Sequence, residues 1–314
     1  MEAKVKYSDV REWIGSALDL SNHADGAIHA AADGTMAIGM RQGPREEQQD
    51  CGAALLWLPR GVLSPHCAAV VADGMGGMED GGWASRRAVE IVVERCLAGD
   101  HDTPRDMLAD ALYRAQHEVL AALEGRGGTT LTAAVWKRQH GMLVHTGDTR
   151  AHLIERGRPF RCLTGDHTRA GLDDAVERLT AGSPAEPYRP IEPDNSLLDA
   201  IGIRQGVLAE RHVVHTPAEG RVVITSDGAH DPIRGAGTAA FQEQGDEERW
   251  TARRSVEAIW DRLAGETLTD NATVVAIEPG RALQHAEERF MENELRFGDV
   301  VLVGPTGVLR ETLA

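Results

Sequence analysis

Apolar residues in this chain run in short blocks of five to eight positions that switch abruptly to polar turns, alternating with two longer stretches of helical period. Strand-like runs are expected at Thr35–Met40, Cys51–Leu58 and His66–Ala72, and Pro59-Arg60-Gly61 makes the last two a hairpin. Two amphipathic helices follow. Ala84, Ala88, Ile91, Val92 and Cys96 share one face of the first, and Leu108, Ala111, Leu112, Ala115, Val119 and Leu123 share one face of the second, which Thr103-Pro104 opens.

Beyond Gly125-Arg126-Gly127-Gly128, strands are expected at Thr129–Trp136, Met142–Thr146 and Ala151–Glu155, with turns at Gln139-His140-Gly141 and Gly147-Asp148-Thr149. Residues 165–193 are polar and proline-rich, with a weak helical pattern from Asp173 to Leu179. Strands resume at His212–His215 and Val222–Thr225. A helix at Trp250–Leu263 and a strand at Ala272–Ile277 follow, and then a charged helix from Arg281 to Glu294. Last come the apolar segments Val300–Val303 and Val308–Leu309 around Gly304-Pro305-Thr306-Gly307. This order does not alternate strand and helix regularly, so it argues for antiparallel sheets with helices packed outside them rather than a doubly wound parallel sheet. The expected division is an extension over 1–34, one domain over 35–279, and an accessory helix and hairpin over 280–314.

The 314 residues are 42% hydrophobic but only 4% aromatic, so the core is built from Val, Leu, Ile and Ala. The formal charge of −16 would repel a nucleic-acid backbone. Cys51, Cys67, Cys96 and Cys162 lie in or beside apolar runs without metal-ligand spacing and read as buried free thiols. No signal-peptide core or membrane-length apolar run is visible, so the expected location is the cytoplasm, with no membrane partner.

The candidate chemistry sits where apolar runs meet carboxylates. The runs Ala68–Ala72 and Arg221–Thr225 lead into Asp73-Gly74 and Ser226-Asp227-Gly228, Asp270 stands just before Ala272–Ile277, and Asp50 precedes Cys51–Leu58. Carboxylates at strand ends are rigidly placed at a sheet rim, and several rims together offer the oxygen set that hard divalent cations take. Without a His-rich or Cys-rich cluster, zinc is a poor candidate.

The sequence resembles the metal-dependent protein phosphatases of type 2C, which hydrolyse phosphoserine and phosphothreonine. Gly43-Pro44-Arg45-Glu46-Glu47-Gln48-Gln49-Asp50 matches the opening arginine and acidic motif. Asp73-Gly74-Met75-Gly76-Gly77, continuing to Gly82-Trp83-Ala84-Ser85, is similar to the signature of bacterial members. Gly128-Thr129-Thr130-Leu131, Gly147-Asp148-Thr149-Arg150, Leu163–Thr168, Ser226-Asp227-Gly228 and Asp270-Asn271-Ala272-Thr273 follow in family order, so the resemblance spans 36–277.

The resemblance implies an α+β fold, a four-layer α-β-β-α sandwich of two antiparallel sheets flanked by helices. It also implies two Mg or Mn ions. Asp73 would bridge both, Gly74 would lend its carbonyl to one, Asp227 and Asp270 would complete the other, and Asp50 would hold waters at the same centre. Asp148 matches the residue that bacterial relatives use, with Asp227, for a weaker third ion, and Arg45 would bind the substrate phosphate. The partners implied are a phosphorylated protein and an opposing serine/threonine kinase.

The residues carry plainer readings too. Arg45 could form a surface ion pair with a neighbouring acid, Asp148 could close a turn, Arg150 could pair with a carboxylate, and His167 could be structural rather than a proton donor. The sequence also departs from the family: Gln48 and Gln49 replace Asn and Glu, Met75 stands where eukaryotic relatives carry a histidine, and Leu198–Gly202 matches its motif loosely. A competing function is therefore a weak or inactive phosphatase-like module that binds phosphoproteins or docks signalling partners.

Overall fold

The run Asp50–Trp57 pairs antiparallel with His66–Asp73, and the register sets Asp50 directly opposite Asp73 at one end and Trp57 opposite His66 at the other. Both strands are covered on both faces, which is why they read as continuous apolar blocks rather than as alternation. In the computed structural model of the chain, residues 7–75, 80–99, 103–138, 140–155, 158, 161–173, 196–203, 214–233 and 251–313 are described.

The described helices are α1 (Tyr7–Ala17), α2 (Gly81–Ala98), α3 (Pro104–Leu123), α4 (Ala252–Leu263) and α5 (Pro279–Met291), with a single helical turn at Asp227–His230. The first six strands are β1 (Ile28–Ala30), β2 (Met36–Arg41), β3 (Asp50–Trp57), β4 (His66–Asp73), β5 (Leu131–Lys137) and β6 (His140–Thr146). After them come β7 (Arg150–Ile154), β8 (Arg161–Cys162), β9 (Val214–Pro217), β10 (Arg221–Thr225), β11 (Ala272–Ile277), β12 (Asp299–Gly304) and β13 (Gly307–Thr312). They form a six-stranded sheet, β1-β2-β11-β10-β7-β8, and a seven-stranded sheet, β13-β12-β3-β4-β5-β6-β9, in which neighbouring strands pair antiparallel.

Three apolar clusters hold four layers together. Cys51, Ala53, Leu55, Ala68 and Val70 face α2 and α3 through Ile91, Val92, Leu108 and Leu112. The opposite faces of the same strands, Ala54, Leu56, Ala69 and Val71, meet Ile38, Val222, Ile224 and Val275 between the sheets. Val223, Val274 and Ala276 then pack under Val256, Ile259 and Trp260 of α4. The α-β-β-α sandwich is therefore observed. Small residues let the sheets approach: a Cβ on Gly52 would stand 2.9 Å from Val275.

Local chemistry explains the helix starts. Thr103 caps α3, its hydroxyl accepting from Asp106 N–H with Pro104 in the first turn, and Thr251 caps α4 through Arg254 N–H.

Three expectations change. The turn placed at Gln139-His140-Gly141 does not include its last two residues, because β6 already begins at His140, paired with Lys137, and Gly141 lies inside the strand. Glycine is needed there because a Cβ would stand 2.2 Å from the Trp136 ring across the ladder. Cys162 is exposed, on the two-residue edge strand β8, whereas Cys51, Cys67 and Cys96 are buried free thiols as expected. The C-terminal hairpin is no appendage: β12 pairs with β3, and Val300 to Val303 are buried on both sides of the sheet. The helical pattern expected at 173–179 lies, beyond Asp173, outside the described residues, as do Gly76 and Gly77.

Candidate metal and phosphate site

The two sheets bring their carboxylate-bearing ends to one edge of the sandwich. From the seven-stranded sheet, Asp50 opens β3 and Asp73 closes β4 as cross-strand partners. From the six-stranded sheet, Asp227 follows β10, Asp270 precedes β11, and the Gly147-Asp148-Thr149 turn crosses from β6 to β7.

Hydrogen bonds between the sheets fix this edge. Ser226 Oγ donates to Asp50 Oδ2 at 2.7 Å and accepts from Thr273 N–H at 2.9 Å, tying β10, β11 and β3 at one hydroxyl. Asp73 N–H donates to Thr130 Oγ1 and its carbonyl accepts from Thr130 N–H, both at 2.9 Å, which pins the end of β4 to β5. Gly74 must be glycine, because a Cβ would meet the Gly81 carbonyl oxygen at 2.4 Å and that of Gln49 at 2.6 Å. Ser85 Oγ donates to the same Gln49 carbonyl, so the start of α2 is stapled behind the site.

Arg45 lies on the loop from β2 to β3, where its Nη2 donates to Asp270 Oδ2 at the solvent edge. Asn271 builds that loop. Its Nδ2 donates to the Gln42 and Glu47 carbonyls at 2.7 and 3.1 Å, and its Oδ1 accepts from Gln49 N–H at 2.8 Å. Asp270 Oδ1 accepts from Asn271 N–H at 2.8 Å, so the carboxylate and the loop are set by one dipeptide. Asp227, Asp231, Glu266 and Asp270 line a cleft of about 420 Å³ here.

Such crowding of acids is electrostatically unfavourable. Asp50 is 1% exposed. Burial, followed by the charge of Asp227, lifts its carboxyl to about 7. Burial and the charges of Asp50, Asp227, Asp148 and Asp270 push Asp73 upward. Asp148 is raised to about 7 by burial and then by Asp227 and Asp166, and Asp227 is raised by burial and by Asp270. No three of these side chains, among the described residues, close on one point as a finished coordination shell. An all-oxygen set of mutually repelling acids, four of them with raised pKa, nevertheless fits a hard divalent cation, which would relieve the repulsion that the side chains alone cannot.

Asp50, Asp73, Gly74, Asp148, Asp227, Asp270 and Arg45 are thus brought to one edge. Arg150 is engaged by a carboxylate, forming a two-pronged bond to Asp166 at 2.9 and 2.6 Å. His167 is structural in its contacts: its backbone N–H donates to the Gly147 carbonyl at 2.7 Å, and its ring lies tilted against that of His145 with centroids 4.7 Å apart. The loosely matching Leu198–Gly202 segment docks beside the site, with Ile201 bridging Thr129. Ser226, Asn271, Asp231 and Glu266 had no assigned part in the sequence reading. Ser226 precedes a helical turn and reads as its cap, but its hydroxyl is spent on Asp50 instead.

The model of the protein phosphatase 2C family matches residues 61–271. The serine/threonine protein phosphatase PstP of Mycobacterium tuberculosis is 33% identical over 173 residues, 52% of this chain and 32% of that protein. This chain therefore spans about a third of the mycobacterial relative's length. The serine/threonine phosphatase stp of Listeria innocua is 25% identical over 219 residues, 67% of this chain and 83% of its own. Among solved structures, serine/threonine phosphatase Stp1 from Staphylococcus aureus superposes with a TM-score of 0.62 at 17% identity, covering 79% of this chain and 96% of that one. A PstP catalytic domain in complex with two manganese ions gives 0.57 at 22% identity, over 80% and 98%. The fold is shared throughout, and this chain belongs to the protein phosphatase 2C family.

Proposed function

We propose that this chain hydrolyses phosphoserine and phosphothreonine in proteins, using magnesium or manganese, and opposes a serine/threonine kinase. The observation that carries the proposal is the meeting of Asp50 and Asp73 from one sheet with Asp227 and Asp270 from the other, beside the Arg45 guanidinium. Two dications carry four positive charges, which four carboxylates balance.

Asp73 would hold both ions, with the Gly74 carbonyl on one and Asp227 and Asp270 on the other. Asp50 would orient water at the centre, and Asp148 with Asp227 would hold a third, weaker ion. When bound, such ions supply Lewis acidity and an activated water at neutral pH. Ser226 presents its hydroxyl proton to Asp50 and so fixes the carboxylate's rotation. Arg45 contributes charge and orientation: one nitrogen bonds Asp270, and the fork has further N–H donors for phosphate oxygens. Phosphoryl transfer asks for positioning and charge neutralisation above all, which is what these side chains can give.

Turnover of p-nitrophenyl phosphate and of a phosphothreonine peptide, with manganese and with a chelator, tests this reading. Hydrolysis should require the metal and vanish in Asp73→Asn. Turnover that survives both treatments overturns the proposal.

A further inference from the structure

The turn that carries Asp148 is held from behind by two histidines. On its Thr149 side, His145 Nε2 lies 3.0 Å from the Gly165 carbonyl, which can only accept, so this nitrogen carries the proton. His145 Nδ1 therefore accepts from the Thr132 hydroxyl at 2.8 Å, and Thr132 Oγ1 in turn accepts from Thr149 Oγ1 at 2.6 Å. Each proton along this chain has one direction, and Thr149 is fixed by it.

The Gly147 side is held by His167, at both backbone groups. The His167 N–H donates to the Gly147 carbonyl at 2.7 Å, and its Nδ1 accepts from Gly147 N–H at a long 3.4 Å. The same nitrogen stands 3.9 Å from Asp199 Oδ2, in a pair whose side chains are 11% and 4% exposed. Neither Asp199 oxygen accepts a hydrogen bond among the described residues. A buried carboxylate without such bonds is costly. Its backbone keeps it there: Leu198 N–H donates to the His167 carbonyl at 2.7 Å, and Ile201 exchanges bonds of 2.8 and 3.0 Å with Thr129.

One nitrogen thus faces two partners with opposite demands. With a lone pair, Nδ1 accepts from the Gly147 amide; with a proton, it donates to Asp199 and releases that amide. We propose that His167 is a positioning residue for Asp148, and that Asp199 tunes its grip by competing with the Gly147 amide for Nδ1. The proposal rests on the reading of Asp148 as a ligand of the weaker ion. The carboxylate moves with its turn, and groups that orient a metal ligand from behind are worth about ten- to a hundredfold in affinity.

Isotope labels on threonine carbonyls and glycine nitrogens together select the amides of Gly147, Gly165 and Gly307, the glycines that follow a threonine. Hydrogen exchange of the Gly147 amide is measured in chelator by nuclear magnetic resonance, and manganese binding by calorimetry. His167→Leu should speed the exchange about tenfold, the worth of one hydrogen bond, and His167→Asn, whose side-chain oxygen can stand in for Nδ1, should restore it. Asp199→Leu, which removes the rival, should slow it. An apolar residue of similar size is tolerated in place of a buried charge, so this variant should fold. With manganese, His167→Leu should weaken by about tenfold the ion that Asp148→Asn abolishes, and leave the tighter ions unchanged. The proposal is overturned if Gly147 exchanges equally in wild type and His167→Leu, if Asp199→Leu speeds the exchange, or if tight and weak ions lose affinity alike. A manganese isotherm unchanged by Asp148→Asn would overturn the reading beneath it, Asp148 as a ligand, and the exchange rates in chelator tell that failure from this one.

Discussion

The two ends of the sandwich solve burial in opposite ways. At one end Asp50 faces Asp73, and burial and repulsion raise the pKa of both. At the other end of the same strand pair Trp57 faces His66, ring edge to ring face at 5.2 Å, and burial pushes the histidine down to about 4. The far end is neutral and packed, while the near end keeps like charges together at a cost in stability. A fold tolerates such a cost where function asks for it. The contrast becomes quantitative when each end is altered in turn.

The largest effect is expected at Asp73. Asp73→Asn should lower turnover by at least about a thousandfold, roughly 4 kcal/mol of barrier. Without metal it should melt no lower than wild type, and by a few degrees higher, since one of several repelling charges is gone. Kinetics paired with calorimetry in chelator checks both halves, and a lower melting point in chelator would remove the electrostatic account of this end.

Asn271 comes next, because one side chain holds three points of the loop that carries Arg45. Asn271→Ala should cost about 1–3 kcal/mol in stability and about a hundredfold in kcat/KM. Arg45→Ala, which spares the loop, should raise KM for a phosphopeptide about tenfold with unchanged stability. Equal stability losses in the two variants would mean that the loop is not held by Asn271.

Ser226 should give a smaller change, confined to metal affinity. A residue that orients a ligand is worth about ten- to a hundredfold in affinity, and Ser226→Ala is expected at the lower end. Added to Asp50→Asn it should do nothing further, because its partner is already changed. Manganese titrations of the two single variants and the double variant decide this.

The legible parts of the fold were those in which one residue type has one physical use. Asp50, Asp73, Asp227 and Asp270 each interrupt an apolar run, so their positions at strand ends could be read directly. Which strand ends meet could not be read, since pairing across sheets is set by long-range register. Ser226 and Asn271 therefore lay within matched segments without a role to read, although each makes the bonds that join the sheets. Cys162 shows a related ambiguity, with apolar company in sequence but an edge strand in space. Gly141 looked like a turn residue, and only the Trp136 ring opposite it explains the glycine. The tail read as an appendage because β12 is short and its partner β3 lies some 250 residues earlier in the chain.

The smallest effect should come from the neutral end, and it carries a sign. Among the described residues His66 Nδ1 has no hydrogen-bond partner, and its pKa falls from 6.5 to about 4, by burial first and then by the charges of Lys137 and Arg138. The folded state thus binds this proton more weakly than the unfolded chain does. No stability is lost above pH 6.5, and stability declines as pH falls from 6.5 toward 4, where the folded-state histidine also protonates. A full shift of this size corresponds to about 3 kcal/mol, of which the step from pH 7.5 to pH 5 takes about 2 kcal/mol. His66→Phe keeps the edge contact with Trp57 and removes the proton site. Urea denaturation of wild type and variant at pH 7.5 and pH 5 should give curves whose separation moves in the variant's favour at the lower pH. A separation independent of pH would show that the histidine is already solvated, and the two ends would then differ in charge but not in burial.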